Sequence, residues 1–277
     1  MLVDQFSPPD GLECRDGVWF TKTSSENALS YPSEGNDECF RVEDSSYWFG
    51  HRNACIVELV RQFPPNGLIF DIGGGNGFVA KGLEEAGFAT VVIEPGPGAT
   101  HAAQRGLRNV ICGSIEAAGF RSGSLSAAGM FDVIEHIADS TDFLRMLRQL
   151  MPPKTRLYVS VPALRILWSA EDDRAGHYRR YTIASLSREL TKTGFDVEFA
   201  TYFFSFLPIP IFLARSLPSL LGIRNTSAEV IEREHKEPSG LIGRIMRQTF
   251  SWERSRIAAQ RPLPIVGSSC LAVASSA

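Results

Sequence analysis

From Tyr47 onward the chain alternates short apolar runs with amphipathic ones, and this alternation limits the fold more than any other feature. Extended runs fall at 68–72, 89–94, 109–112, 127–133, 156–161, 196–202 and 268–274. Helical spacing lies between them, at 53–63, 79–86, 99–105, 140–150 and from 183 onward. The punctuation agrees: Asp139 or Ser140 can open one helix and Pro152-Pro153 close it, while Thr182 caps the next and Gly194 suits its stop. Strand–helix–strand order with connections this short specifies a parallel sheet covered on both faces. The expected architecture is therefore α/β, a doubly wound sheet of seven mostly parallel strands. Residues 1–46 read as an extension, 47–277 as the main domain, and about 203–262 as a helical, apolar insertion before the last strand. Such sheets bind ligands beyond the carboxyl ends of their strands, where strand order reverses.

Composition excludes several classes. Net charge is −3 and the isoelectric point about 6.0, which gives no broad basic footprint for nucleic acid. Five scattered cysteines, none in a CxxC pair, argue against zinc ribbons and disulfide frameworks and for a reducing, cytoplasmic setting. The N-terminus carries an acid at position 4 and no apolar core, unlike a signal peptide. The most apolar stretch, 202–214, is interrupted by Pro208 and Pro210 and is too short to span a membrane. Segment 203–222 is still greasier than a surface connection. It suits a wall for a lipophilic acceptor, a peripheral membrane contact helped by the basic stretch after it, a buried helix, or a dimer interface.

The first chemical signal is Asp71-Ile-Gly-Gly-Gly-Asn-Gly77, which follows strand one and opens a helix. Glycines permit a sharp turn and let a ligand lie against bare main chain, with the helix N-terminus supplying amides and partial positive charge. The dinucleotide fingerprint GxGxxG would need glycine at 78, where Phe78 stands. Asp71, two residues before the first glycine, is a poor neighbour for pyrophosphate and a good one for a cation. Glu94 ends strand two, where a carboxylate can accept both ribose hydroxyls. S-adenosylmethionine, with a sulfonium, an amino group and a diol but no phosphate, suits this set.

Five segments together are similar to the class I S-adenosylmethionine-dependent methyltransferase family, in particular its small-molecule branch that includes the ubiquinone-biosynthesis O-methyltransferases. They are Phe70-Asp-Ile-Gly-Gly-Gly-Asn-Gly77, Val92-Ile-Glu-Pro95, Phe131-Asp-Val-Ile-Glu-His-Ile137, Val161-Pro-Ala163 and Gly176-His-Tyr-Arg-Arg-Tyr-Thr182. The resemblance spans about 47–200 and implies a Rossmann-like fold with S-adenosyl-L-methionine as cofactor. It implies that Asp71, Gly73, Gly75 and Gly77 line the methionine part and that Glu94 holds the ribose, with Pro95 also in the cofactor-binding set. It would put Gly113, Ser114 and Ile115 beside the adenine and adds Asp132 to the cofactor-binding set. Many relatives carry an acid where Ser114 stands, and Glu116 is near enough in sequence to substitute.

For catalysis, His136 after strand four is the first candidate base, and it equally suits packing over the cofactor. His177, in the charged loop 171–181, is the second candidate, or else one member of an ion-pair network with Arg174, Arg179 and Arg180. Nothing in the spacing of Glu135, His136, Asp172 and His177 demands a metal, and none is expected. The expected activity is O-methylation of a small, partly apolar acceptor. Its rivals are a silent S-adenosylmethionine-binding protein and a nicotinamide-dependent oxidoreductase, the latter disfavoured by Phe78 and Asp71.

Overall fold

The computed structural model describes residues 7–22, 33–223 and 235–277. The seven strands read from the sequence are all present: β3 (Ile69–Ile72), β4 (Thr90–Glu94), β5 (Val110–Cys112), β6 (Ala127–Phe131), β7 (Arg156–Pro162), β8 (Phe195–Phe203) and β9 (Ser269–Ser276). Two more precede them, β1 (Glu13–Arg15) and β2 (Val18–Phe20), which form a hairpin. The sheet order is β1-β2-β5-β4-β3-β6-β7-β9-β8, parallel from β2 to β7 and antiparallel at both ends. The extension thus does more than pack on the main body. It lengthens the sheet, with Val18–Phe20 in register with Val110–Cys112.

Helices α1 (Ser33–Val42), α2 (Tyr47–Gln62), α3 (Phe78–Glu85), α4 (Gly98–Gln104), α5 (Ser140–Leu150), α6 (Ala170–Ala175) and α7 (Ile183–Lys192) connect the strands or precede them. The caps are those the sequence suggested: Asp139 accepts from the Asp142 amide and Thr182 from the Ser185 amide. After β8 come the short helical turns α8 (Pro208–Ile211), Phe212–Ser216 and α9 (Leu217–Leu220), then α10 (Gly240–Ala258), which packs on α2. The apolar insertion divides in two. Phe203, Phe204 and Leu207 are buried, whereas Ile209, Leu213, Leu217 and Leu220 face solvent.

Alternation along the strands builds two apolar layers. Phe70, Ile72, Met130, Val159 and Val161 pack on one face of the sheet; Ile69, Phe131 and Tyr158 pack on the other, against Ile56 and Leu59 of α2. The period of two therefore sends Asp71 to the α2 side, with Ile69. The chain runs β3, β4, β5 outward and then returns to lay β6 on the opposite flank of β3, so strand order reverses at β3.

Gly77 shows why the loop after β3 needs glycine. Its φ is +74°, and a Cβ there would lie 2.5 Å from Leu107 Cδ1 and 2.8 Å from Ala102 Cβ. Gly77 serves packing of α3 against α4; it does not border the cleft described below. Gly87 has a similar φ of +91° with nothing within 4 Å of a Cβ. Gly77→Ala should lower unfolding stability by about 2–4 kcal/mol, combining left-handed strain with overpacking. Gly87→Ala should cost only about 1 kcal/mol. Equal denaturation midpoints for the two variants would contradict this packing account.

Candidate active site

At the reversal, the carboxyl ends of β3, β4, β6 and β7 open into a cleft of about 550 Å³. Of the residues expected in the site, Asp71, Gly73, Gly75, Glu94, Pro95, Asp132, His136 and His177 all line it. Gly77, Ser114 and Ile115 do not. The extension explains the last two: Thr21 donates its amide to the Cys112 carbonyl at 3.2 Å and packs against Gly113, where a Cβ would come within 2.3 Å of it. Ser114 instead caps a turn by accepting from the Ala117 amide at 3.2 Å, and Ile115 is buried in the core.

Asp71 is 1% exposed, and its Oδ2 has no hydrogen-bond partner among the described residues. Burial raises its carboxyl to about 7, against the opposing pull of the Arg52 guanidinium. Gly74 keeps the space for it, since a Cβ there would sit 2.9 Å from Oδ2. Glu94 is held differently. Oε2 accepts from the Gly75 amide at 2.9 Å and Oε1 from the Gly96 amide at 2.8 Å. Burial still leaves its carboxyl above the ordinary value, with those amides pulling it back.

The loop is no phosphate nest. The amides of Gly73 and Gly74 donate to the Ile93 carbonyl, Gly75 donates to Glu94, and Gly77 donates to the Gly74 carbonyl. A pyrophosphate would meet a buried acid and amides already engaged. A cation meets an acid with an open oxygen, so the residues fit S-adenosylmethionine.

Three features of this region gave little sign of themselves in the sequence. Arg52, buried on α2, pairs with Asp132 at 2.5 Å and donates to the Phe131 carbonyl at 2.7 Å. A lone arginine one residue before an apolar helical run was the available signal. Helix α1, through Asn36 and Cys39, and the turn after it, through Glu43, supply a wall, pinned by Asn76, which donates to the Asn36 carbonyl at 2.9 Å, and by Arg105, which pairs with Glu43 at 2.9 Å. Arg174 of α6 reaches over to Glu38 of α1 at 2.7 Å, tying the two walls together. Tyr47, Trp48 and Phe131 add aromatic lining.

A second cluster of titratable groups, around Asp172, lines the cleft. Asp172 accepts from His177 Nδ1 at 2.8 Å and from Arg180 at 2.7 and 2.9 Å. Burial alone would raise its carboxyl, but the hydrogen bonds from His177 and Arg180 hold it down to about 2. His136 lies edge-on to His177, with ring centroids 4.7 Å apart. Burial, and then the neighbouring His177, push it down to about 3, so it stays neutral. Glu135 is fully buried with neither oxygen partnered among the described residues, and burial with the nearby Asp132 charge pushes its carboxyl well up. Glu135, His136 and His177 offer ligand atoms within 4.8 Å of one another, near enough to hold a divalent ion. Of the arginines in this loop, Arg180 shares Asp172 with His177, Arg174 pairs with Glu38, and Arg179 donates to Ser140 and to the carbonyls of Ile137 and Ala138.

A sheet that reverses order over an acid-flanked glycine loop defines a nucleoside-binding α/β protein, and comparison narrows the class. Residues 50–199 match the methyltransferase domain family model, and the chain belongs to that family of S-adenosylmethionine-dependent enzymes. It is 33% identical over 107 residues to the ubiquinone biosynthesis O-methyltransferase of Caulobacter vibrioides, a match covering 35% of this chain and 42% of that relative's length. The fold resembles a S-adenosylmethionine-dependent methyltransferase from Thermotoga maritima at TM-score 0.54 and 16% identity, covering 88% of this chain and 96% of the other. It also resembles phosphoethanolamine N-methyltransferase 2 of Haemonchus contortus in complex with S-adenosyl-L-methionine, at TM-score 0.53 and 15% identity, covering 90% and 58%.

Asp71 gives this site a pH signature. Its proton is retained in the folded state up to about pH 7 and in the unfolded chain only to about 4. Its contribution to stability is thus full below pH 4 and lost as pH rises through 7. Asp71→Asn should remove that loss, so its stability relative to the parent should rise by about 2–4 kcal/mol between pH 5 and pH 8. Urea titrations at the two pH values measure this; parallel curves for parent and variant would contradict it.

Proposed function

We propose that the chain transfers a methyl group from S-adenosylmethionine to a hydroxyl of a small, partly apolar acceptor. The observation that carries the acceptor chemistry is the His177–Asp172 pair inside the cleft. An ionised carboxylate on Nδ1 fixes the imidazole tautomer and leaves Nε2 to take a proton, the arrangement a general base requires. His136, neutral and more deeply buried, is better suited to packing beside it.

In this reading Asp71 faces the cationic methionine end, Glu94 accepts from the ribose diol through its remaining lone pairs, and Asp132 is steadied by Arg52. The adenine would lie along the Pro95–Pro97 turn against α1, in place of the Ser114–Ile115 side. The sulfonium supplies a methyl on an excellent leaving group, so the protein's task is alignment and proton removal. The acceptor oxygen bonds to the methyl, its proton passes to His177 Nε2, and the sulfur keeps the electron pair of the broken bond. Tyr47, Trp48 and Ile211 offer an apolar wall for the acceptor body. The O-methyltransferase of Caulobacter vibrioides among the relatives favours oxygen as the accepting atom.

Release of S-adenosylhomocysteine, followed against a panel of phenols and amines, tests the proposal. Turnover with phenols should exceed that with amines. His177→Gln should lower it by roughly 10²–10⁴-fold with cofactor affinity within about threefold. Glu94→Ala should do the reverse, weakening cofactor binding by about 10–100-fold through lost hydrogen bonds to a charged group. Full turnover in His177→Gln would remove the base from the account.

A further inference from the structure

One surface is left unused by the cleft. On the helical turns after β8, Ile209, Leu213, Leu217, Leu220 and Leu221 are 72%, 57%, 38%, 76% and 64% exposed. Their spacing of four, four and three or four residues draws a single stripe along the helical axis. The inward side of the same turns carries Ile211 and Arg215, which line the cleft. The stripe is therefore the outer surface of the wall that bounds the acceptor end.

Neighbouring elements extend the stripe. The turn Arg165–Leu167, which packs on Phe212–Ser216, leaves Ile166 68% exposed with Arg165 exposed beside it. His235, another cleft residue, leads within five positions into α10, whose first two turns expose Leu241, Ile242 and Ile245 together with Arg244. The charge agrees. The chain as a whole is at −3, yet 208–261 holds nine Arg and Lys against five Glu.

We infer that this surface, the outer side of the cleft wall, docks on the face of an anionic lipid bilayer. The inference rests on the reading of the acceptor as partly apolar. Leucine and isoleucine side chains flanked by arginines suit insertion into the headgroup boundary, where apolar groups reach the acyl region and cations meet lipid phosphates. A second copy of the chain fits less well. A two-fold contact would set arginines against arginines. The stripe, some 18 Å long and one helix face wide, with the first turns of α10 offers about 300 Å², against roughly 800 Å² a side for a stable dimer. Among the described residues no helix is long and apolar enough to cross a membrane, and an interfacial contact requires none.

The test is co-sedimentation of the full chain with vesicles of phosphatidylcholine alone, or containing about 30% phosphatidylglycerol, at roughly 0.1 M and 1 M KCl. Binding should be strong only with phosphatidylglycerol and should fall at high salt. The double variant Leu213→Asp, Leu217→Asp should lose about tenfold or more in vesicle affinity. Isothermal titration with S-adenosylmethionine on the same preparations should give the parent affinity, which establishes folding and separates the two claims. Absence of vesicle binding with intact cofactor binding overturns the docking surface alone; loss of cofactor binding in the parent overturns the functional reading alone. Retained binding in the double variant overturns the assignment to this stripe. So does a parent dimer in sedimentation velocity that the double variant dissolves while neither binds vesicles; that result assigns the stripe to self-association.

Discussion

A carboxylate buried with an open oxygen is costly, and Asp71 is such a group. Much of the site is arranged around tolerating it. Period-two alternation in β3 turns it toward α2, Arg52 supplies a nearby positive charge, and Gly74 clears the volume it occupies. The loop then spends its own amides on Ile93 and Glu94, so Oδ2 of the acid has no hydrogen-bond partner among the described residues. What is missing is a cation, and the family to which the chain belongs uses one.

The cleft treats two of its acids in opposite ways. Asp71 is driven up to about 7 by burial with too little compensation, while Asp172, also buried, is held at about 2 by His177 and Arg180. Environments that separate two carboxyls this far assign them separate work. In the proposed function Asp71 meets the positive ligand, while Asp172, ionised, orients an imidazole. One wall, α1, comes from sequence far from both acids, the other is α6, which carries Asp172 itself, and Glu38 and Arg174 bridge the two.

The seven-strand body was legible because its strands are short apolar runs between marked helix caps, and Asp71 and Glu94 because each lies at the carboxyl end of a strand, Asp71 one residue before its last and Glu94 its last. The hairpin was harder to read. Three residues of Val18–Phe20 inside an acidic, turn-rich stretch carry no periodicity, and they form a strand only because β5 offers an open edge. That same pairing brings Thr21 against Gly113 and explains why Ser114 and Ile115 do not border the cleft. Arg52 was hidden for a similar reason: a charge at one helical position reveals its partner, Asp132, only once α2 is laid across the sheet.

The central claim is that Asp71 receives the positive charge of the cofactor. Isothermal titration of S-adenosylmethionine into the parent and into Asp71→Asn, at pH 6 and pH 8, addresses it directly. The parent should bind more tightly at pH 8, where the carboxyl is ionised, by up to about tenfold, and Asp71→Asn should bind weakly with little change between the two pH values. Equal affinities for parent and variant at both pH values would contradict the account.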